Sequence, residues 1–154
     1  MIVAAEGDFR LNHAADTARL GAGLVHALAK GDAICLSGPL GAGKSVLARG
    51  LIRALVPGDG DIPSPTFTLV QFYDGPSFPI AHFDLYRLIR PEEAYEIGLE
   101  EALQTGAAVI EWPERLGHHL PVDRLDIEIH IEDGDRRRAR LSPHGAWEGR
   151  AIAF

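Results

Sequence analysis

The stretch SGPLGAGKSV, residues 37 to 46, follows directly on the apolar run AICL and carries three glycines, a lysine and a serine. Glycine loses the most backbone entropy on ordering and gives a strand nothing to pack, so such a turn beside a buried strand is kept where bare backbone has a use. Gly38, Gly43, Lys44 and Ser45 satisfy G-x-x-x-x-G-K-[ST]. In that pattern a loop turns its amides onto phosphate oxygens, and the helix that follows adds its positive end. The pattern requires a strand before it and a helix after it. DAICLS reads as a buried strand, and SVLARGLIRALV sets Val46, Leu47, Gly50, Leu51 and Leu55 on one helical face. The chain is therefore expected to be an α/β protein with a P-loop NTPase-like three-layer fold, a mainly parallel central sheet and antiparallel hairpin additions. Gly38, Pro39, Leu40, Gly41, Ala42, Gly43, Lys44, Ser45 and Val46 are the candidate nucleotide-contacting residues. Lys44 is assigned to the terminal phosphates and the Ser45 hydroxyl to the shell of a magnesium ion.

A chain of 154 residues suits one domain, taken as 1–154, and its 46% hydrophobic and 24% charged residues are those of an ordinary globule. No stretch is long and apolar enough for a membrane span, and MIVAAEGDFR lacks the build of a signal peptide, so a cytoplasmic location is expected. The single cysteine, Cys35, reads as a small core residue. A formal charge of −7 opposes direct binding to a nucleic-acid backbone, so any such role should run through a partner.

Along the chain, Asn12 is placed to cap a helix through Ala14, Ala18, Gly21, Val25 and Leu28 that Gly31 ends. PGDGDIPSP, residues 57–65, predicts a mobile surface loop. TFTLVQFY and FPIAHFDLY predict a hairpin about the DGPS turn. Pro91 suits a helix start and Gly98 a break that divides that helix in two, while AAVIE reads as a buried strand stopped by Pro113. In LDIEIHIEDGDRRRARL a three-residue loop, Asp133 to Asp135, sets Glu132 against Arg136, His130 against Arg138 and Glu128 against Arg140. It also sets Ile127, Ile129 and Ile131 against Leu141, Ala139 and Arg137. A two-residue loop would join like charges and mix the faces, so the first register is expected, with most of the arginines neutralised on a solvated face.

Hydrolysis needs a carboxylate near the metal, normally at the end of a neighbouring strand. Asp84 ends PIAHFD and Glu111 ends AAVIE, so both are expected at the sheet edge where the phosphate loop emerges. Thr66, after the stiff approach DIPSP, could meet the metal or the terminal phosphate as a switch residue does. Trp112 could contact nucleotide or partner, although an aromatic core residue is the commoner explanation, and Phe9 to Ala14 is the first choice for the base pocket.

GPLGAGKS, SPTFTLV, HFDLYRL and IEWP, in that order over residues 38 to 113, resemble the TsaE (YjeE) family of bacterial ATPases in tRNA threonylcarbamoyladenosine synthesis. The resemblance implies that Gly38 to Ser45 bind ATP, that Ser45 and Glu111 hold Mg2+, and that Thr66 and Asp84, with Lys44, belong to the nucleotide-responsive catalytic site. It also implies work with TsaD and TsaB proteins, which carry out the transfer to tRNA while the ATP cycle supports their turnover; tRNA is met only through the complex. Pro39, Ser45 and Phe67 stand where the family usually has Asp, Thr and Tyr. Two other readings share the phosphate loop: a small-molecule kinase, for which an arginine-bearing lid is missing, and a nucleotide-gated interaction module with negligible turnover.

Overall fold

The glycine-rich turn lies between a strand and a helix, as its pattern requires. A computed structural model describes residues 1–58, 62–63, 65 and 68–154. In chain order the elements are β1 (Ile2–Ala4), β2 (Gly7–Leu11), α1 (Ala14–Gly23), β3 (Ala33–Ser37), α2 (Lys44–Leu55), β4 (Val70–Asp74) and β5 (Pro79–Asp84). There follow α3 (Glu93–Glu96), α4 (Leu99–Thr105), β6 (Ala107–Glu111), β7 (Arg124–Ile131), β8 (Arg137–His144) and β9 (Ala151–Ala153). Seven strands form one sheet in the order β2-β8-β7-β3-β6-β5-β4, and β1 and β9 pair separately. The four central strands β7, β3, β6 and β5 run parallel, and antiparallel pairings close both edges, so the sheet is mixed.

Strands β3, β6 and β5 are buried on both faces because both are covered, whereas β7 alternates and keeps Asp126, Glu128 and His130 on its open face. Ile34, Leu36, Val109 and Ile127 pack with Leu47, Leu51 and Ile52 of α2 and Leu20 of α1. Cys35, Ala108, Ile110 and Phe83 pack with Ala94, Leu99 and Ala102 of α3 and α4 on the other side. Burial pushes the Cys35 thiol well above its usual range, which fits a core residue. Helices α1 and α2 approach backbone to backbone: a Cβ on Gly50 would stand 2.3 Å from the Ala18 carbonyl oxygen. Small residues here bring α2 tightly against α1.

Both expected hairpins form, and β7–β8 keeps the expected register. β4 pairs antiparallel with β5, and in β7–β8 Ile129 faces Ala139 and Ile131 faces Arg137 across the three-residue loop. The ion pairs differ from expectation. Arg140 bonds Asp8 at 3.2 Å and Glu128 pairs with His130 at 3.0 Å, because β2 occupies the far edge of β8 and brings Asp8 opposite Arg140. That Arg140 hydrogen bond, with its positive charge, holds the Asp8 carboxyl below the usual range.

The first helix is also shorter than expected. Asp16 accepts from the Asn12 and His13 amides at 2.9 and 3.1 Å and so fixes its start. It ends at Gly23, where the backbone abuts the carbonyl of Ala153, and residues 25 to 27 form a single tight turn. Gly98 adopts the left-handed conformation, φ 88°, and separates α3 from α4. Of the loop expected over 57–65, residues 59–61 and 64 lie outside the described residues.

Candidate functional site

Strand β3 delivers the chain to Gly38, whose φ of 145° and whose approach to the Ile129 carbonyl, 2.6 Å from where a Cβ would sit, both exclude a side chain. The loop then turns through Gly43 in the left-handed region, φ 111°, which is the N-cap of α2. The amides at the start of a 12-residue helix therefore face the loop's concavity together with the positive end of the helix dipole.

Lys44 and Ser45 occupy the first turn of that helix. The Lys44 side chain is almost wholly buried; its Nζ donates to the Gly38 carbonyl at 2.5 Å and lies 3.5 Å above the centre of the Trp112 ring. Burial lowers its pKa from the usual lysine value, while Glu111, Glu114 and Asp84 act in the opposite direction. Ser45 Oγ donates to Glu111 Oε1 at 2.9 Å.

The two acids end adjacent parallel strands in matched register, Asp84 opposite Glu111. Both are buried, and Asp84 Oδ1 accepts the Tyr86 amide at 3.1 Å. A cavity of 370 Å³ opens between them and the loop. From the loop side it is lined by Leu40, Gly41, Gly43, Lys44, Ser45 and Val46, and from the strand ends by Asp84, Tyr86, Glu111 and Trp112. Of the remaining candidate loop residues, Gly38 accepts from Lys44, Ala42 lies in the core, and Pro39 is exposed at the loop's mouth. Thr66 and Phe67 lie outside the described residues.

The site has a hard-oxygen character suited to magnesium: a hydroxyl, two carboxylates and space for phosphate oxygens, with a lysine to balance charge. Mg2+ keeps several waters and shares a site with substrate phosphates rather than needing an all-protein cage. Ser45 and Glu111 are the residues that fit such an ion.

Two contributors, His82 and Arg137, were not legible as site residues, and Trp112, whose commoner reading was a core aromatic, lines the cavity. His82 on β5 is fully buried, with Nε2 2.6 Å from Glu111 Oε2. Strand alternation puts residue 82 on the face of residue 84, and that signal could have found it. Trp112 has φ 61° and packs its ring 4.9 Å from that of Tyr86, so it serves the cavity wall as well as the core. Arg137, set on the apolar side of β8, reaches back to the Gly41 carbonyl at 3.4 Å. It borders a second depression of 230 Å³ across the loop, with Ala14, Thr17 and Val46. Within the stretch Phe9 to Ala14 only Ala14 borders that depression; Phe9 packs on Phe154 and Leu11 lies in the core.

The sequence profile of the family described as threonylcarbamoyl adenosine biosynthesis protein TsaE matches residues 11–139. A tRNA threonylcarbamoyladenosine biosynthesis protein TsaE of Rickettsia bellii is 38% identical over 132 residues, which cover 86% of this chain and 92% of the relative. The protein of the same name from Mycobacterium bovis is 36% identical over 146 residues, 88% and 86% of the two chains. Among solved structures, Bacillus subtilis YdiB matches with a TM-score of 0.71 at 29% identity, over 94% of this chain and 88% of that one.

Proposed function

The chain belongs to the TsaE family of threonylcarbamoyl adenosine biosynthesis proteins, and from that premise we propose that it is the ATP-binding and hydrolysing subunit of the tRNA-modifying assembly. It works with TsaD and TsaB proteins, its ATP cycle supports their turnover, and it meets tRNA only through them. One observation carries the reading: Lys44 and Ser45, at the start of α2, share a single cavity with Asp84 and Glu111 from adjacent strands.

The loop amides and the Lys44 ammonium supply the positive field that phosphates require. Ser45 and Glu111 would hold Mg2+, which supplies charge neutralisation on the phosphate oxygens when bound. Asp84, fixed by the Tyr86 amide, is an acceptor able to orient a water at the cavity. The depression beside Ala14 and Arg137 is the place for base and ribose. We propose that the whole chain, 1–154, acts as one ATPase domain in the cytoplasm. No described helix is long and apolar enough to cross a membrane.

None of the described residues lining the cavity is an arginine. In phosphate-loop hydrolases an arginine delivered to the γ-phosphate raises the rate by about 10³ to 10⁵. Hydrolysis by the isolated chain is therefore slow and rises when a TsaD–TsaB pair is added. A steady-state ATPase assay with and without the pair tests this, alongside tRNA binding at two salt concentrations. Full activity of the chain alone, or tight salt-sensitive tRNA binding without partners, overturns the proposal.

A further inference from the structure

His82 is a fully buried polar side chain whose place in the core calls for a reason. On β5 the residues 80, 82 and 84 share one face of the sheet, and on β6 the residues 107, 109 and 111 share the same face. His82 stands opposite Val109, two positions before the Asp84–Glu111 pair, so its imidazole reaches Glu111 along the diagonal. Nε2 lies 2.6 Å from Oε2, while Oε1 accepts from Ser45 Oγ at 2.9 Å. The carboxylate is thus held at both oxygens by donors from two different elements, β5 and α2. A carboxylate can only accept, so the imidazole donates from Nε2.

The other ring nitrogen, Nδ1, is buried and has no hydrogen-bond partner among the described residues. A buried nitrogen left unpaired costs about 1–3 kcal/mol. An aliphatic residue of similar volume would carry no such cost. Stability alone therefore does not explain a histidine here, and the Nε2 contact is what remains.

Resting on the magnesium–ATP reading above, we infer that His82 is a positioning residue for Glu111. By occupying Oε2 it fixes the carboxylate plane and leaves Oε1 as the single oxygen offered beside Ser45. Mg2+ demands near-ideal octahedral geometry, and a carboxylate free to swing between one-oxygen and two-oxygen contact would fit it poorly. Groups that hold a metal-binding carboxylate in this way typically account for about 10- to 100-fold in metal affinity.

The test is the nucleotide affinity of the full chain by calorimetry, with ATP alone and with ATP plus Mg2+, for the parent, His82→Leu and His82→Gln. Each variant is referenced to its own metal-free affinity. Leu fills the space without a donor, whereas the Gln amide can reach the position of Nε2. The expected result is a loss of about 10- to 100-fold in the Mg2+-dependent tightening for His82→Leu, with most of it restored in His82→Gln. A His82→Leu protein that responds to Mg2+ as the parent does overturns the positioning role while leaving the ATPase reading standing. A parent with no Mg2+-dependent ATP binding overturns that reading and this inference together. Should His82→Leu not fold, the parent's imidazole supplies the answer by nitrogen-15 correlation spectroscopy. An Nε2-protonated ring that shifts when Mg2+ joins ATP supports the role, and a ring protonated at Nδ1 alone overturns it.

Discussion

Replacing Lys44 with methionine separates what this side chain does for the fold from what it does for a ligand. Methionine keeps the unbranched stem and removes the charge. In the folded chain burial lowers the lysine's pKa, so the charged form is penalised relative to the unfolded state at neutral pH. That penalty is complete below the folded pKa and disappears as pH rises towards the unfolded value. The Lys44→Met substitution relieves it, and a thioether against the Trp112 ring adds about 0.3–1.5 kcal/mol. Against these gains stand the lost hydrogen bond to the Gly38 carbonyl, worth about 0.5–1.5 kcal/mol, and the lost contact of the ammonium with the Trp112 ring, worth about 0.5–2 kcal/mol. Gly38 is only half-buried, so water can take over that carbonyl. The contributions nearly cancel, and stability should stay within about 1 kcal/mol of the parent, a Tm change of about 2–4 °C. Nucleotide affinity behaves differently. A charge-assisted contact to phosphate is worth about 1.5–3 kcal/mol, and at about 1.4 kcal/mol per tenfold the loss is roughly 10- to 150-fold. Thermal unfolding of the nucleotide-free protein and calorimetric titration with ATP measure the two quantities. Unchanged affinity with a large fall in Tm would make Lys44 a packing residue and refute the assignment.

The same lysine predicts a pH effect: phosphate favours its charged form, so its pKa rises on binding and nucleotide uptake carries a proton in the alkaline range. Affinity should therefore decline as pH rises through the alkaline range towards the ordinary lysine pKa, with a binding heat that depends on the buffer's ionisation enthalpy in the parent and not in Lys44→Met; a buffer-independent heat in the parent contradicts this. For the scaffold, Gly50→Ala places a methyl 2.3 Å from the Ala18 carbonyl oxygen, where only backbone movement gives relief. A destabilisation of about 2–3 kcal/mol is expected, a Tm fall on the order of 4–12 °C, and a Tm equal to the parent's would show that α1 and α2 separate easily.

Much of the site was legible because its parts are local. Glycines at fixed offsets, a lysine and a hydroxyl after them, and an acid at the end of each apolar run are constraints that operate within a few residues. The β7–β8 register was legible for the same reason, since a one-residue slip would have mixed the apolar and polar faces and paired like charges. The strands β1, β2 and β9 were not. GDFRL is short and its pattern is weak; it is a strand because β8 offers it a free edge. That pairing in turn redirected Arg140 to Asp8. Helix α1 carried a longer apolar pattern than it uses, and it stops where the chain's last strand presses against Gly23.

By itself the sequence determined the glycine-rich loop, the strand and helix that flank it, and the two strand-end acids, because each depends on neighbours in the chain. Only the tertiary structure decided that Asp84 and Glu111 stand opposite one another, that Ser45 and His82 take one oxygen each of Glu111, and that Arg137 turns back to the loop. These contacts join residues 29, 66 and 96 positions apart. Strand order sets such distances, and strand order follows from how the whole chain buries two sheet faces at once rather than from any short stretch of it.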